Sequence, residues 1–83
     1  MTYRVDITRK AEKQMRDLSQ TVRRRIGNRI DALEADPYKN ASKLATLPGF
    51  RARVGDYRIL YEVNEGEKVV RINEIRHRRE AYR

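Results

Sequence analysis

Apolar and polar residues alternate on both sides of Gly55-Asp56, in the run Arg51-Ala-Arg-Val-Gly-Asp-Tyr-Arg-Ile-Leu-Tyr61. Alternation with a period of two marks a half-buried strand. Gly-Asp between two such runs predicts a two-residue hairpin turn, with glycine supplying the positive φ. The turn fixes a register. Val54 lies opposite Tyr57, Arg53 opposite Arg58, Ala52 opposite Ile59 and Arg51 opposite Leu60. Opposed side chains share a sheet face. One face then carries Phe50, Ala52, Val54, Tyr57, Ile59 and Tyr61, and the other carries Arg51, Arg53 and Arg58.

Tyr3, Val5 and Ile7 alternate with Arg4 and Asp6 and predict a first strand with the three apolar residues inward. Thr8 is a fitting N-cap. Ala11, Met15 and Leu18 then fall at helical spacing, which predicts a short helix to about Leu18. Ser19-Gln20-Thr21 breaks it and caps the next. Val22, Ile26, Ile30 and Leu33 form the stripe of a second helix, whose outer face carries Arg23, Arg24, Arg25 and Arg29. Pro37 ends it, because the residue before a proline disfavours helix. Residues 38–49 read as irregular, with Leu44 and Leu47 as anchors to the core. Asn64-Glu65-Gly66 signals a second turn. A last strand runs from Lys68 to Arg76, where either set of alternating residues reads as the apolar one. The order predicts one small α+β domain over residues 1–83: an N-terminal strand, a two-helix hairpin, then antiparallel strands in a single twisted sheet with the helices on one face. The arginine face is left open to solvent or ligand.

Composition narrows what that face meets. Charged residues make up 39% of the 83 residues, and the net charge is +8. Such an excess implies an acidic partner. No apolar run approaches a membrane span and no secretory h-region exists, so a cytoplasmic protein is expected, without membrane contact. The chain has no cysteine and one histidine. Neither a disulfide, a thiol nucleophile nor a zinc site is expected, and no Gly-rich phosphate loop is present.

Two arginines directly opposed across a strand pair repel each other. A solvated basic face is the plain reading; a site where a phosphate relieves the repulsion is the other. The reactive groups at hand are arginines, lysines, tyrosines and His77. They suit metal-independent RNA cleavage, in which the ribose 2′-hydroxyl is the nucleophile. The protein then moves protons and stabilises charge on the phosphate. Arginine meets phosphate oxygens with two parallel hydrogen bonds. Tyr82 is a candidate proton acceptor, since neighbouring cations favour a phenolate; the alternative is that it docks the tail. His77 is either a titrating group or another surface cation. Arg23 and Arg24 on the second helix, and Lys43 in the loop, are candidate nucleic-acid contacts or a solvated face.

Three stretches together resemble the RelE branch of the RelE/ParE toxin superfamily. They are Tyr3-Arg4-Val5, Arg51-x-Arg53-Val54-Gly55-Asp56-Tyr57-Arg58-Ile59-Leu60-Tyr61 and His77-Arg78-Arg79-Glu80-Ala81-Tyr82. The resemblance implies a type II toxin that enters the ribosomal A site, beside 16S rRNA, and cuts messenger RNA without metal or cofactor. It implies a RelB-like antitoxin as inhibitor, and operator DNA contacted only through the antitoxin complex. It also implies that Arg51, Arg53 and Arg58 hold the phosphate and favour the phenolate of Tyr82, that Arg78 supports leaving-group protonation or transition-state charge, and that Tyr82 is the base. Arg79 competes with Arg78, and His77 is a further proton-transfer candidate. Arginines at positions 51 and 53 depart from the lysines of well-known RelE enzymes. A ParE-like gyrase inhibitor on the same fold, or an inactive basic binding module, are the other functions considered. The cations are expected to converge around Tyr82 with nothing acidic among them.

Overall fold

The computed structural model describes residues 2–78. In it Gly55 takes φ +58, and the runs on either side pair antiparallel as β3 (Phe50–Val54) and β4 (Tyr57–Asn64). The register is the one the turn imposes, from Val54 opposite Tyr57 to Phe50 opposite Tyr61. Three further strands complete one sheet: β1 (Arg4–Ile7), β2 (Ala41–Lys43) and β5 (Val69–His77). The order is β1-β5-β4-β3-β2, with β1 parallel to β5 and the remaining pairs antiparallel.

Two helices cross from the first strand to the second. Helix α1 (Arg9–Arg16) starts where the Thr8 hydroxyl accepts from the Ala11 amide at 3.2 Å. Helix α2 (Gln20–Ala35) starts at Ser19, which accepts from Val22 at 3.3 Å. Between them Arg23 donates to the carbonyls of Met15, Arg16 and Leu18, which have no partner inside α1. Ala11, Ile26, Ile30 and Leu33 pack on Ala52, Ile59, Tyr61, Val70, Ile72 and Ile75. Each buried aliphatic side chain of this size stabilises by about 1.5–3 kcal/mol. No helix among the described residues is long and apolar enough to cross a membrane.

Strand β5 contains a bulge, which resolves its doubtful pattern. Leu60 pairs with Glu74 and Tyr61 with Ile72, so Asn73 is the extra residue. Val70 and Ile72 face the helices before it, and the inserted residue brings Ile75 to the same side. Helix α1 satisfies the interrupted ladder. Thr8 Oγ1 donates to the Asn73 carbonyl at 3.0 Å, and Gln14 Oε1 accepts from the Ile75 amide at 2.7 Å.

Four expectations need correction. Residues 41–43 are not irregular but form the edge strand β2 on β3. Ile7 is 41% exposed, because β1 is a sheet edge at that point. Leu47 is 67% exposed and anchors nothing in the core. Arg29 is half-buried rather than on the outer face; it donates to the carbonyls of Lys39 and Asn40 and ties down the segment after α2.

At the sheet end away from Gly55, Glu65 gathers three donors: the Tyr3 hydroxyl at 2.8 Å, the Tyr38 hydroxyl, and Lys68 at 2.9 Å. These bonds, Tyr38 first, hold the carboxyl at about 2, below its ordinary 4.5. A lowered carboxylate stabilises the fold above its unfolded value and loses that effect as pH falls through the folded one. Glu65→Gln is therefore less stable than the parent at neutral pH, and the two converge between pH 4.5 and 2. Urea midpoints measured across that range check this; parallel curves would refute it.

Candidate active site on the open sheet face

Strand alternation places Arg51 and Arg53 of β3, Arg58 and Leu60 of β4, and Glu74 and Arg76 of β5 on the sheet face opposite the helices. Arg53 pairs across to Arg58, and Arg58 to Arg76. Three guanidinium-bearing residues thus stand in one row over three adjacent strands. Like charges directly opposed cost about 0.2–1 kcal/mol per pair in a sheet. Arg58 is the middle member and only 9% exposed. The expectation of a fully open arginine face is corrected at this residue, which the row on either side and the 44–47 segment shelter.

Arg78 joins the row through the backbone. Its amide donates to the Asp56 carbonyl at 2.6 Å, which docks the end of β5 on the hairpin turn. Arg53, Arg58 and Arg78, with Gly55, Asp56 and Tyr57, line a depression of about 110 Å³. Beside it Arg51 and Arg53, with Asn40 and Ser42, line another of about 280 Å³. From the helix side, the Arg25 guanidinium comes within 3.2 Å of where a Cβ on Gly55 would sit. The hairpin tip is therefore ringed by cations from β3, α2 and the chain after β5. Such a set of guanidiniums is chemically suited to hold an anion. Arginine stays protonated and does not act as a base.

The site is not free of acid, contrary to expectation. Glu74 bonds Arg76 and also accepts from Lys10 at 2.7 Å. Its side chain is 14% exposed. Lys10 reaches it because β1 stops opposite Ile72 and α1 lies along the rest of β5. Glu74 offsets Arg76 at one end of the row.

Arg53, Arg58 and Arg78 line one depression, and Arg51 shares others with Arg53 and with Arg58. Other candidates lie elsewhere. Lys43 pairs with Phe50 and so takes the helix side of the sheet. Arg23 closes the α1–α2 corner, and Arg24 is exposed on α2. His77 pairs with Tyr57, the two rings perpendicular with centroids 5.0 Å apart, on the side of Val54 rather than of Arg58. Arg79 and Tyr82 lie outside the described residues. Arg76 escaped the sequence reading for a physical reason. Unbroken alternation puts it with Val70 and Ile72, and only the bulge at Asn73 turns it toward the arginines.

The family model of the ParE toxin of type II toxin–antitoxin systems, parDE, matches residues 5–82. No curated protein matches the chain. Among solved structures, a chain of the archaeal RelE–RelB complex from Pyrococcus horikoshii is 36% identical, with a TM-score of 0.84; the match covers 94% of this chain and 97% of that one. A chain of the toxin–antitoxin complex RelBE2 from Mycobacterium tuberculosis is 25% identical, with a TM-score of 0.86 and coverage of 94% and 100%. The isolated RelE toxin of E. coli is 26% identical, with a TM-score of 0.80 and coverage of 90% and 83%.

Opposed guanidiniums make a prediction about the free protein. Arg53 is exposed, so replacing it leaves no cavity. Arg53→Gln should raise the melting temperature at low salt, by an amount corresponding to about 0.2–1 kcal/mol, and the gain should shrink as salt screens the row. Thermal scans at two ionic strengths measure it. A clear loss of stability at low salt would mean that the row holds the sheet together.

Proposed function

This chain belongs to the ParE toxin family of type II toxin–antitoxin systems, within the RelE/ParE superfamily, and on that premise we propose that it is an endoribonuclease that cuts messenger RNA in the ribosomal A site. One observation carries the reading: Arg53, Arg58 and Arg78 line a single depression, with Arg51 on the same sheet face. A phosphodiester is the anion that such a set fits, because each guanidinium offers two parallel donors to phosphate oxygens.

In the proposed reaction the ribose 2′-oxygen attacks the adjacent phosphorus and the bond to the 5′-oxygen breaks. The products are a 2′,3′-cyclic phosphate and a 5′-hydroxyl. Negative charge grows on the phosphate oxygens between reactants and products, where Arg51, Arg53 and Arg58 stabilise it. Arg78 stabilises charge on the leaving oxygen, which takes a proton from solvent water to become the 5′-hydroxyl. Tyr82 takes the 2′-hydroxyl proton, with the arginines favouring its phenolate. His77, turned toward Tyr57, is assigned no step.

The partner on this reading is a RelB-like antitoxin, since solved RelE–RelB complexes are among the similar structures. An acidic segment of it complements the +8 chain. Toxin and antitoxin together would repress their operon, with operator DNA met by the antitoxin.

A second reading has its own support. The matching family model is that of a ParE toxin, and a gyrase inhibitor on this fold would act by binding alone. Fold does not choose between the two, because function resides in the site. Purified protein added to a cell-free translation reaction, with mRNA 5′ ends mapped, should give cuts in phase with codons and no effect on gyrase supercoiling run in parallel. Loss of supercoiling without cuts would establish the second reading. Tyr82→Phe should keep the circular-dichroism spectrum and slow cutting by about 10²–10⁴, the usual worth of one proton-transfer group. Undiminished cutting would place the base elsewhere.

A further inference from the structure

Beside the arginine row lies a cleft of about 270 Å³ between the 44–47 segment and the sheet. Leu44, Leu47 and Leu60 supply its apolar wall, and Arg51, Arg58 and Arg76 its rim. We propose that it is a nucleobase subsite, which takes the base of the nucleotide flanking the phosphodiester held by the row. The inference rests on the RNA-cutting reading above and names where the strand runs.

Three observations carry it. The first is the mixture of side chains. A phosphate alone needs donors and gains nothing from leucines. A base has apolar faces and a polar edge, and stacks on apolar or guanidinium planes. The second is that the wall is built. The Leu44 amide donates to the Gly49 carbonyl at 3.0 Å, closing the loop. Gly49 has φ +116 and packs so closely that a Cβ there would meet the Tyr61 carbonyl at 2.5 Å. This backbone holds Leu47 out at 67% exposure, a position with no role in the core. The third is charge along the open face. Past Leu60 the face is lined by Asp6, Glu62, Glu65 and Glu67 against Arg4 and Arg71. With Lys68 on Glu65 and Arg4 on Asp6, that end keeps a slight excess of acid and lacks the cation cluster that attracts a polyanion. A strand seated on Arg53, Arg58 and Arg78 is therefore directed over β3 toward the leucines.

The test uses ribosomes programmed with a short synthetic mRNA, compared with messages carrying an abasic ribose on either side of the scissile phosphate. The parent protein should cut one of the abasic messages roughly 5- to 150-fold more slowly, as expected for one stacked base. Leu47→Ser should cut the intact message several-fold more slowly and show a correspondingly smaller abasic penalty. Its melting curve and antitoxin affinity should match the parent's. Equal rates on all messages, or an unchanged abasic penalty in Leu47→Ser, would overturn the subsite and leave RNA cutting in place. Normal cutting by Leu47→Ser with loss of antitoxin affinity would assign the cleft to a peptide instead. No cutting of any message by the parent would remove the RNA reading itself.

Discussion

Side chains alternate between the two faces of a strand, so the register of β3 against β4 decides whether an isoleucine or a guanidinium meets the helices. Gly55 sets that register from within a two-residue turn. A slip of β3 by one residue would turn Arg51 and Arg53 toward the helices and expose Ala52. The core and the cation row are two sides of one pairing. The apolar side is strong enough to hold the arginines together because every member of the row stands behind a packed neighbour on the other face. The energy of the fold and the charge of the site are therefore spatially separate.

The bulge in β5 is the second phase change, and it is made by the sheet's partner helix. An unpaired strand residue leaves backbone groups that need partners. Thr8 and Gln14 provide them from the start of α1. The same two side chains thereby settle which way Arg76 points. Glu74 comes with it, and its bonds to Arg76 and Lys10 temper the charge at the β5 end of the row. Acid thus stands at both ends of the row, Glu74 on Arg76 and Asp56 among the cations at the hairpin tip.

The hairpin was legible because alternation, turn chemistry and register all rest on short-range rules. The helices were legible from their caps and stripes. What escaped depends on distant groups. Ala41-Ser42-Lys43 has no pattern of its own and is a strand only because β3 offers it an edge. Arg29 reads as surface until the carbonyls of Lys39 and Asn40 come to it. Ile7 reads as core until β1 proves to be the edge. In the site, Arg51, Arg53, Arg58 and Arg78 followed from the hairpin and the tail motif. Arg76 did not, because a single inserted residue reverses the parity of everything after it. Lys43 and His77 were assigned by charge and type, and their strand positions turn them to the other face.

The parallel pair at the end of the sheet has a consequence for biosynthesis. Strand β1 is made before β5, its ladder partner, and every other described element lies between them in the chain. The bulge supports in Thr8 and Gln14 likewise wait for Asn73 and Ile75. Contacts so far apart along the chain form late and slowly. A nascent chain thus stays without its finished sheet until β5 has been translated. Arg78, the cation that closes the cluster, is held by the end of that same strand. The sheet is thus completed at the strand whose end brings Arg78 to Arg53 and Arg58.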